Sequence, residues 1–483
     1  MNFHMRVLFV VRNHSYMRTY GSVIRLLAER GHTVVIGSRG REKHLALDSD
    51  RYLAELSLAY PSVSVRILHR RADRWNAFAE AVRALRTALR YRHPAFRRAS
   101  LLAARAHSHL AKRAPRAYAA GAARAWPWPV AAALSRLGAL VEAAIPTDPV
   151  IDEVIASARP DVMVVTPLID FNSYQIDYVK SARRMGVPVA LAVASWDNLT
   201  NKALMPIQPD MVMVWNEAQR GEAIEFHGVR PDAVRVTGAQ CFDEWFERRP
   251  STSRGAFCSR IGLDPTRPYI LYVCSSQFIA GRNEVPHVRQ WMARLRQSSF
   301  PRVRECGVLV RPHPGNAEAW LHADLSAFGN VAIWPRQGEL PLFDEAKAAY
   351  VDAIHHAAAI VGVNSSCMIE AGIIGRASFT LRLPRFARTQ DGTLHFAHLT
   401  APGFLKTART FHQHHAQLDA ELRQPSTRES MAPFIERFAR PFGLGSAATP
   451  RIVDAIEALA GVQAVPAVPL TARLLRPVLG RMI

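Results

Sequence analysis

Residues 359–380, AIVGVNSSCMIEAGIIGRASFT, admit few folds. The branched apolar run 359–363 needs burial on both faces, as a parallel strand has. Asn364, Ser365 and Ser366 can end such a strand and cap the next helix, whose first N–H groups lack partners. A turn of this kind is a seat for phosphate. Glu370 lies one turn into that helix, within reach of a group bound beside the phosphate. A glycine break and another apolar strand follow. The stretch therefore predicts a unit of an open α/β sheet with a nucleotide diphosphate site at its turn.

The rest of the chain repeats this pattern. Residues 5–11 predict a strand, 23–30 a helix and 32–37 a second strand, with the polar stretch 12–20 lining an active-site cleft. The glycine spacing of a dinucleotide fingerprint is missing, so NAD binding is not expected. Strands are predicted again at 161–166, 187–194, 211–215 and 234–237. A second series follows at 269–274, 307–311, 331–334, 360–363 and 378–381, and the chain from 411 onward reads as mostly helical. At 483 residues the chain exceeds one ordinary core, and its 49% apolar content can fill two. The expected layout is an N-terminal domain at 1–247, a linker over 247–259, a C-terminal domain at 248–460 and a basic amphipathic tail at 461–483.

Between Arg71 and Arg124 the chain carries 12 Arg and one Lys against Asp73 and Glu80. Apolar residues recur at helical spacing through Trp75, Phe78, Val82, Leu85 and Leu89. This predicts a helical insertion at about 68–145 whose arginines give one face a positive field. Two readings stand: a solvated helical excursion, or a platform for an anionic membrane surface or lipid-linked acceptor. The formal net charge of +21 fits anionic partners or a coding bias toward Arg and Ala. No zinc-finger, RNP or KH signature accompanies it, so nucleic acid is not an expected partner. The five cysteines are scattered, without metal-type or disulfide spacing, which fits a reducing, cytoplasmic setting. No apolar segment is long enough to span a bilayer, so any membrane association is expected to be peripheral, at the inner face of the cytoplasmic membrane.

Candidate chemistry sits at predicted strand ends. Ser275 and Ser276 offer hydroxyls after one strand. Arg311, stiffened by Pro312 and Pro314, can bind phosphate through two bonds, and His313 can donate to it or share its proton. Ser365 and Ser366 neutralise phosphate, and Glu370 can accept both hydroxyls of a ribose. For the general base, Asp197 in the turn Ser-Trp-Asp-Asn, His14 after the first strand, and Asp170 all compete.

On residues 311–314, RPHP, and 362–372, GVNSSCMIEAG, the chain resembles a GT-B glycosyltransferase of the superfamily that includes nucleotide-sugar epimerase-like folds. Within it, the chain resembles bacterial surface-polysaccharide and teichoic-acid-type transferases, including the CDP-glycerol glycerophosphotransferases. The resemblance implies two Rossmann-like domains facing a central cleft, with a helical insertion in the first. It implies a nucleotide-activated sugar in the C-terminal domain and a carbohydrate or lipid-linked acceptor in the N-terminal one. Arg311 and His313 would approach the donor phosphates, Ser365 and Ser366 would cap the diphosphate, and Glu370 would hold the ribose. Neither a metal nor a further cofactor is implied. Such transferases often carry Asp or Tyr before the paired serines, where this chain has Asn364. Donor base, transferred group and stereochemical outcome stay open, as do an epimerase, a glycerophosphotransferase-like enzyme and a non-catalytic scaffold of a polysaccharide assembly complex.

Overall fold

The computed structural model describes residues 4–40, 46–462 and 470–481. The chain divides into two α/β units: unit 1 comprises Met1–Cys241 and Gly445–Ile483, and unit 2 is Phe242–Leu444. Unit 1 holds β1 (Arg6–Val11), β2 (Thr33–Ser38), β3 (Val63–Ile67), β4 (Val162–Thr166), β5 (Val189–Ala192), β6 (Met211–Val214) and β7 (Val234–Val236). They form one parallel sheet in the order β3-β2-β1-β4-β5-β6-β7. Unit 2 holds β8 (Tyr269–Val273), β9 (Gly307–Arg311), β10 (Val331–Ile333), β11 (Ala359–Gly362), β12 (Ser378–Leu381) and β13 (Leu405–Ala408). Their order is β10-β9-β8-β11-β12-β13, again all parallel. Strand order reverses direction between β1 and β4 in one sheet and between β8 and β11 in the other. Ligands in such sheets bind outside the carboxyl ends of the strands at that switch point.

The continuous apolar strands arise because each sheet is covered on both faces. Along β1, Leu8 and Val10 join one core cluster, while Val7, Phe9 and Val11 join the other. Ile452, Val453, Ile456 and Leu459 of the helix Ala448–Ala460 enter the second cluster. That helix therefore belongs to unit 1, not to the second domain where the sequence places it. Its apolar stripe states that it must be covered, but not by which sheet.

Other boundaries also shift. The expected linker 247–259 is structured inside unit 2: Ser251 and Thr252 donate to Asp352, which is fully buried, and Arg254–Ile261 is a helix. Of residues 12–20, Arg12 and Asn13 line a cleft, whereas the helix expected from 23 already starts at Met17 and Tyr20 is fully buried, donating to the Ala192 carbonyl. Strands β3 and β13 and the helix Ala46–Ala59 have no counterpart in the sequence reading. Of the expected tail, Leu470–Gly480 is a helix packed on Trp128–Ala144, with Arg476 donating to the Ala144 carbonyl. Residues 463–469 and 482–483 of that tail lie outside the described residues.

The insertion is helical over Asn76–Arg90, Ser100–Arg113, Pro115–Ala119 and Trp128–Ala144. Its arginines divide: Arg74, Arg92, Arg97, Arg98, Arg116 and Arg124 are exposed, as a positive outer face requires, whereas others turn inward. Arg83, Arg86 and Arg90, spaced three and four apart, share one side of their helix, and Arg86 and Arg90 are buried. Arg83 bonds Glu142 and Asp177. Arg86 donates to the Pro206 carbonyl, and Arg90 to those of Leu199, Thr200 and Ala203. Arg86 and Arg90 thus dock the insertion on the segment after β5, and Arg83 docks it on the helix Gln175–Arg184. Arg71 is likewise buried, held by Asp73 and the Pro146 carbonyl.

Glu142, 1% exposed, is held between Arg83 and Lys180. Burial alone would raise its pKa, but Arg83 and then Lys180 outweigh that and pull it down to about 2. A depressed carboxylate contributes stability above its unfolded pKa and loses it as pH falls through its folded one. The unfolding midpoint is therefore expected to drop between pH ~4.3 and pH about 2. Glu142→Gln should remove that part of the acid limb and cost about 3 kcal/mol at neutral pH, by leaving the Lys180 ammonium without its carboxylate and Arg83 with Asp177 alone. Chemical denaturation across pH measures both.

Candidate functional site

In unit 2, three predicted elements sit at the carboxyl ends of strands in one sheet. After β8, the Ser275 N–H donates to Glu284 Oε2 at 2.8 Å, and Tyr272 donates to Oε1 at 3.0 Å. Burial pushes Glu284 up to about 7, only partly offset by those two donors. Ser275 Oγ is buried without a hydrogen-bond partner, and Ser276 precedes the short helix Gln277–Ala280 without capping it through its side chain. Glu284 is a residue that sequence reasoning missed, because its contact with Ser275 depends on how the intervening loop folds back.

Arg311 ends β9 and is 5% exposed. Its guanidinium lies over the Tyr350 ring at 4.8 Å and the Trp334 ring at 5.7 Å, with Glu339 at 3.9 Å. Both terminal nitrogens lack a hydrogen-bond partner. Burial lowers its pKa, partly offset by Tyr350 and Glu339; Tyr350 links the cation to Glu370 in the helix Cys367–Ile374. A buried cation with unused donors marks where an anion would be stabilised. His313 caps the turn that follows: its Nδ1 accepts from the Gly315 N–H at 3.0 Å, which leaves the ring proton on Nε2.

Ser365 and Ser366 lie between β11 and that helix. Ser365 Oγ accepts from the Cys367 N–H, and exposed Ser366 occupies the cap position without a side-chain bond. Glu370, 2% exposed, accepts a hydrogen bond from Tyr350. Tyr350 thus joins Arg311 and Glu370, and no spacing in the sequence announces it. Asn364 is fixed through Thr389 and His395. Gln390 donates to the Val363 and Leu381 carbonyls, tying the ends of β11 and β12 together. Gly362 keeps β11 close to β8, since a Cβ there would meet the Val273 carbonyl oxygen at 2.9 Å.

Unit 1 separates the three candidate bases by environment. His14 follows β1 and is 8% exposed; its Nδ1 lies 2.6 Å from Asp50 Oδ1, and its Nε2 is buried without a hydrogen-bond partner. With the Nδ1 proton held by the carboxylate, Nε2 presents a lone pair, the arrangement of an oriented base. Asp170 is instead tied to Arg12 and lies 3.7 Å from Lys202. Asp197 accepts from the side chains of Asn198 and Asn201 and precedes the short helix Asn198–Asn201, whose carbonyls Arg90 holds. A cleft of about 260 Å³ opens at the ends of β1, β2 and β4, lined by Arg12, Asn13, Arg39, Arg70 and Asp170 among others. Gln175, missed in the sequence, clamps this switch point by donating to the Val10 and Thr166 carbonyls while accepting from the Leu168 N–H. Among the described residues no group of three or more His, Cys, Asp or Glu is placed to hold a metal ion.

The strand orders and their switch points have counterparts among solved structures. A glycosyltransferase from Rickettsia africae superposes with a TM-score of 0.53 at 10% identity, covering 95% of this chain and 99% of that one. The UDP-GlcNAc 2-epimerase from Methanocaldococcus jannaschii gives 0.52 at 11% identity, over 94% and 100%. The S. aureus MnaA–UDP co-structure gives 0.51 at 10% identity, over 96% and 99%. The fold is of the GT-B type. No family model and no curated protein sequence matches the chain.

Proposed function

We propose that this protein is a glycosyltransferase. It moves a sugar from a nucleotide-activated donor to a hydroxyl of a carbohydrate or lipid-linked acceptor in surface-polysaccharide synthesis, such as capsule or lipopolysaccharide. The observation that carries the donor half is Arg311, buried against Tyr350, the partner of Glu370, with its terminal nitrogens lacking hydrogen bonds. The two amino groups match a diphosphate, and the His313 Nε2–H and the Ser366 N–H add to them. Glu370, steadied by Tyr350, takes the ribose hydroxyls. The co-structure of S. aureus MnaA with UDP makes UDP the first nucleotide to try.

In this scheme His14 Nε2 removes the proton of the acceptor hydroxyl as its oxygen bonds the anomeric carbon. The bond from that carbon to the donor phosphate oxygen breaks, and the nucleotide leaves with the electron pair. Asp50 stabilises the imidazolium, while Arg311 and the helix N-terminus offset the negative charge of the leaving group, so the scheme needs no metal. Asp170 and Arg12 orient the acceptor. We place the enzyme in the cytoplasm, at the inner face of the membrane.

A thermal-shift screen with UDP, GDP, CDP and CMP tests the donor site. At least one should raise the unfolding midpoint, and the matching sugar donors should then be consumed only when a glycan or lipid-linked acceptor is present. Consumption of a nucleotide sugar without acceptor would indicate an epimerase, and transfer from CDP-glycerol a glycerophosphotransferase. Nucleotide binding without turnover of any donor would indicate a scaffold. If no nucleotide shifts the midpoint, the proposal fails.

A further inference from the structure

Unit 1 contains a second cavity, bordered by the helical insertion, the helix Gln175–Arg184 and the C-terminal helix Leu470–Gly480. Its volume of about 530 Å³ is of the size that holds small ligands. It shares no lining residue with the cleft at the strand ends. Ala139, Ala143, Ile145, Met205 and Ile207 supply an aliphatic wall, and Arg86, Lys180, Arg183, Arg184, Arg473 and Arg476 supply the cations.

The charges in this wall are unequally matched. Lys180 meets Glu142, Arg183 meets Asp210, and Arg184 meets Asp152. Arg86, Arg473 and Arg476 form no ion pair among the described residues. Arg86 is 7% exposed; one amino group bonds the Pro206 carbonyl at 2.8 Å, and its Nε is buried without a hydrogen-bond partner. A cation so placed is costly unless an anion completes it. Aliphatic walls with no Trp, Tyr or Phe offer little to a nucleobase or a sugar ring, yet they suit a hydrocarbon chain.

The surroundings point the same way. Leu137 and Leu140 on the helix Trp128–Ala144 and Leu474 and Val478 on Leu470–Gly480 are all exposed, Leu474 to 77%. These two helices pack on each other. No single helix among the described residues is long and apolar enough to cross a membrane. Exposed leucines beside cationic groups fit a surface that rests in the headgroup region of an anionic bilayer.

We propose that this cavity binds an anionic membrane phospholipid, its phosphate held by Arg86, Arg473 and Arg476 and the start of its acyl chain lying along Ala139, Ala143, Met205 and Ile207. The lipid docks unit 1 on the bilayer through the helices Trp128–Ala144 and Leu470–Gly480. It is an anchor, not the acceptor, so the inference stands whether or not the chain transfers a sugar. It also moves the membrane contact away from Arg71, Arg83 and Arg90, which the fold uses internally.

Co-sedimentation of the full chain with phosphatidylcholine vesicles, with and without phosphatidic acid, tests the proposal. Binding is expected only with phosphatidic acid. Arg473→Glu should weaken it about tenfold or more, and Leu474→Asp should weaken it as well. Both side chains are exposed, so the unfolding midpoint of each variant should match the parent. As an independent readout, dodecyl phosphate monomers should raise the parent's midpoint and inorganic phosphate should not. Equal binding to neutral vesicles, or affinity indifferent to Arg473→Glu, would overturn docking on an anionic lipid. A midpoint raised as much by inorganic phosphate as by dodecyl phosphate would reduce the cavity to an anion site.

Discussion

Replacing Arg311 with methionine is expected to weaken nucleotide binding by about a thousandfold, because it removes the buried charged donors that a diphosphate would engage. The same substitution should leave the unliganded protein as stable as the parent or more so. Losing the contacts of the cation with Tyr350 and Trp334 costs about 1 kcal/mol. Removing a desolvated guanidinium without hydrogen-bond partners returns about 1 to 4 kcal/mol. Methionine fills much of the same volume and asks for no partner. The two effects therefore have opposite signs, and a ligand-binding arginine is distinguished from a structural one. Titration with the nucleotide found by thermal shift measures the first, and the midpoint without nucleotide measures the second. A midpoint lower by several degrees would mean that Arg311 holds unit 2 together and that its loss of binding is indirect.

His14→Ala is expected to lower kcat about 10²- to 10⁴-fold while the midpoint shift produced by nucleotide stays intact, since His14 belongs to the other unit. Asp50→Asn should fall between the parent and His14→Ala. It keeps a side chain beside Nδ1 but loses the charge that fixes the tautomer and stabilises the imidazolium. Asp170→Asn should act mainly on the KM of the acceptor. Asp170 is already neutralised by Arg12 and Lys202, which suits it to positioning more than to taking a proton. Asp197→Asn should be mild, because Asn198 and Asn201 already occupy its carboxylate. Steady-state kinetics on the four variants ranks them. Full activity in His14→Ala together with a collapse in Asp197→Asn would reassign the base.

Much of the fold was legible in the chain because a parallel strand buried on both faces has a simple signature. Residues 269–273, 307–311 and 359–362 are apolar almost throughout and end at polar turns, and all three are neighbouring strands of one sheet. Strand β3 was hidden for the opposite reason. It lies at the sheet edge with exposed residues in its middle, so Val63-Ser-Val-Arg-Ile carries no continuous run. The apolar stripe 452–459 showed that a helix needs cover, but the cover is β1's face, more than four hundred residues away.

The site divides in the same way. Arg311, His313, Ser365, Ser366 and Glu370 could be named from local spacing, because strand ends and helix starts are local features. That Arg311 is buried against Tyr350, that Tyr350 also bonds Glu370, and that Glu284 holds the Ser275 turn are tertiary facts. The choice of His14 over Asp170 and Asp197 as the proposed base likewise rests on partners 36, 158 and 4 residues away in the chain.

The sequence by itself determined two parallel α/β sheets and the turns where anions are most easily held. Hydrophobic periodicity and the unpaired N–H groups of helix starts are written residue by residue. Only the tertiary structure decided which way the arginines of the insertion point. A guanidinium can spend its donors on water or, at a desolvation cost, on a ring of backbone carbonyls, and composition cannot distinguish the two. In this chain the carbonyls of Leu199, Thr200 and Ala203 decided it for Arg90, and Glu142 with Asp177 for Arg83.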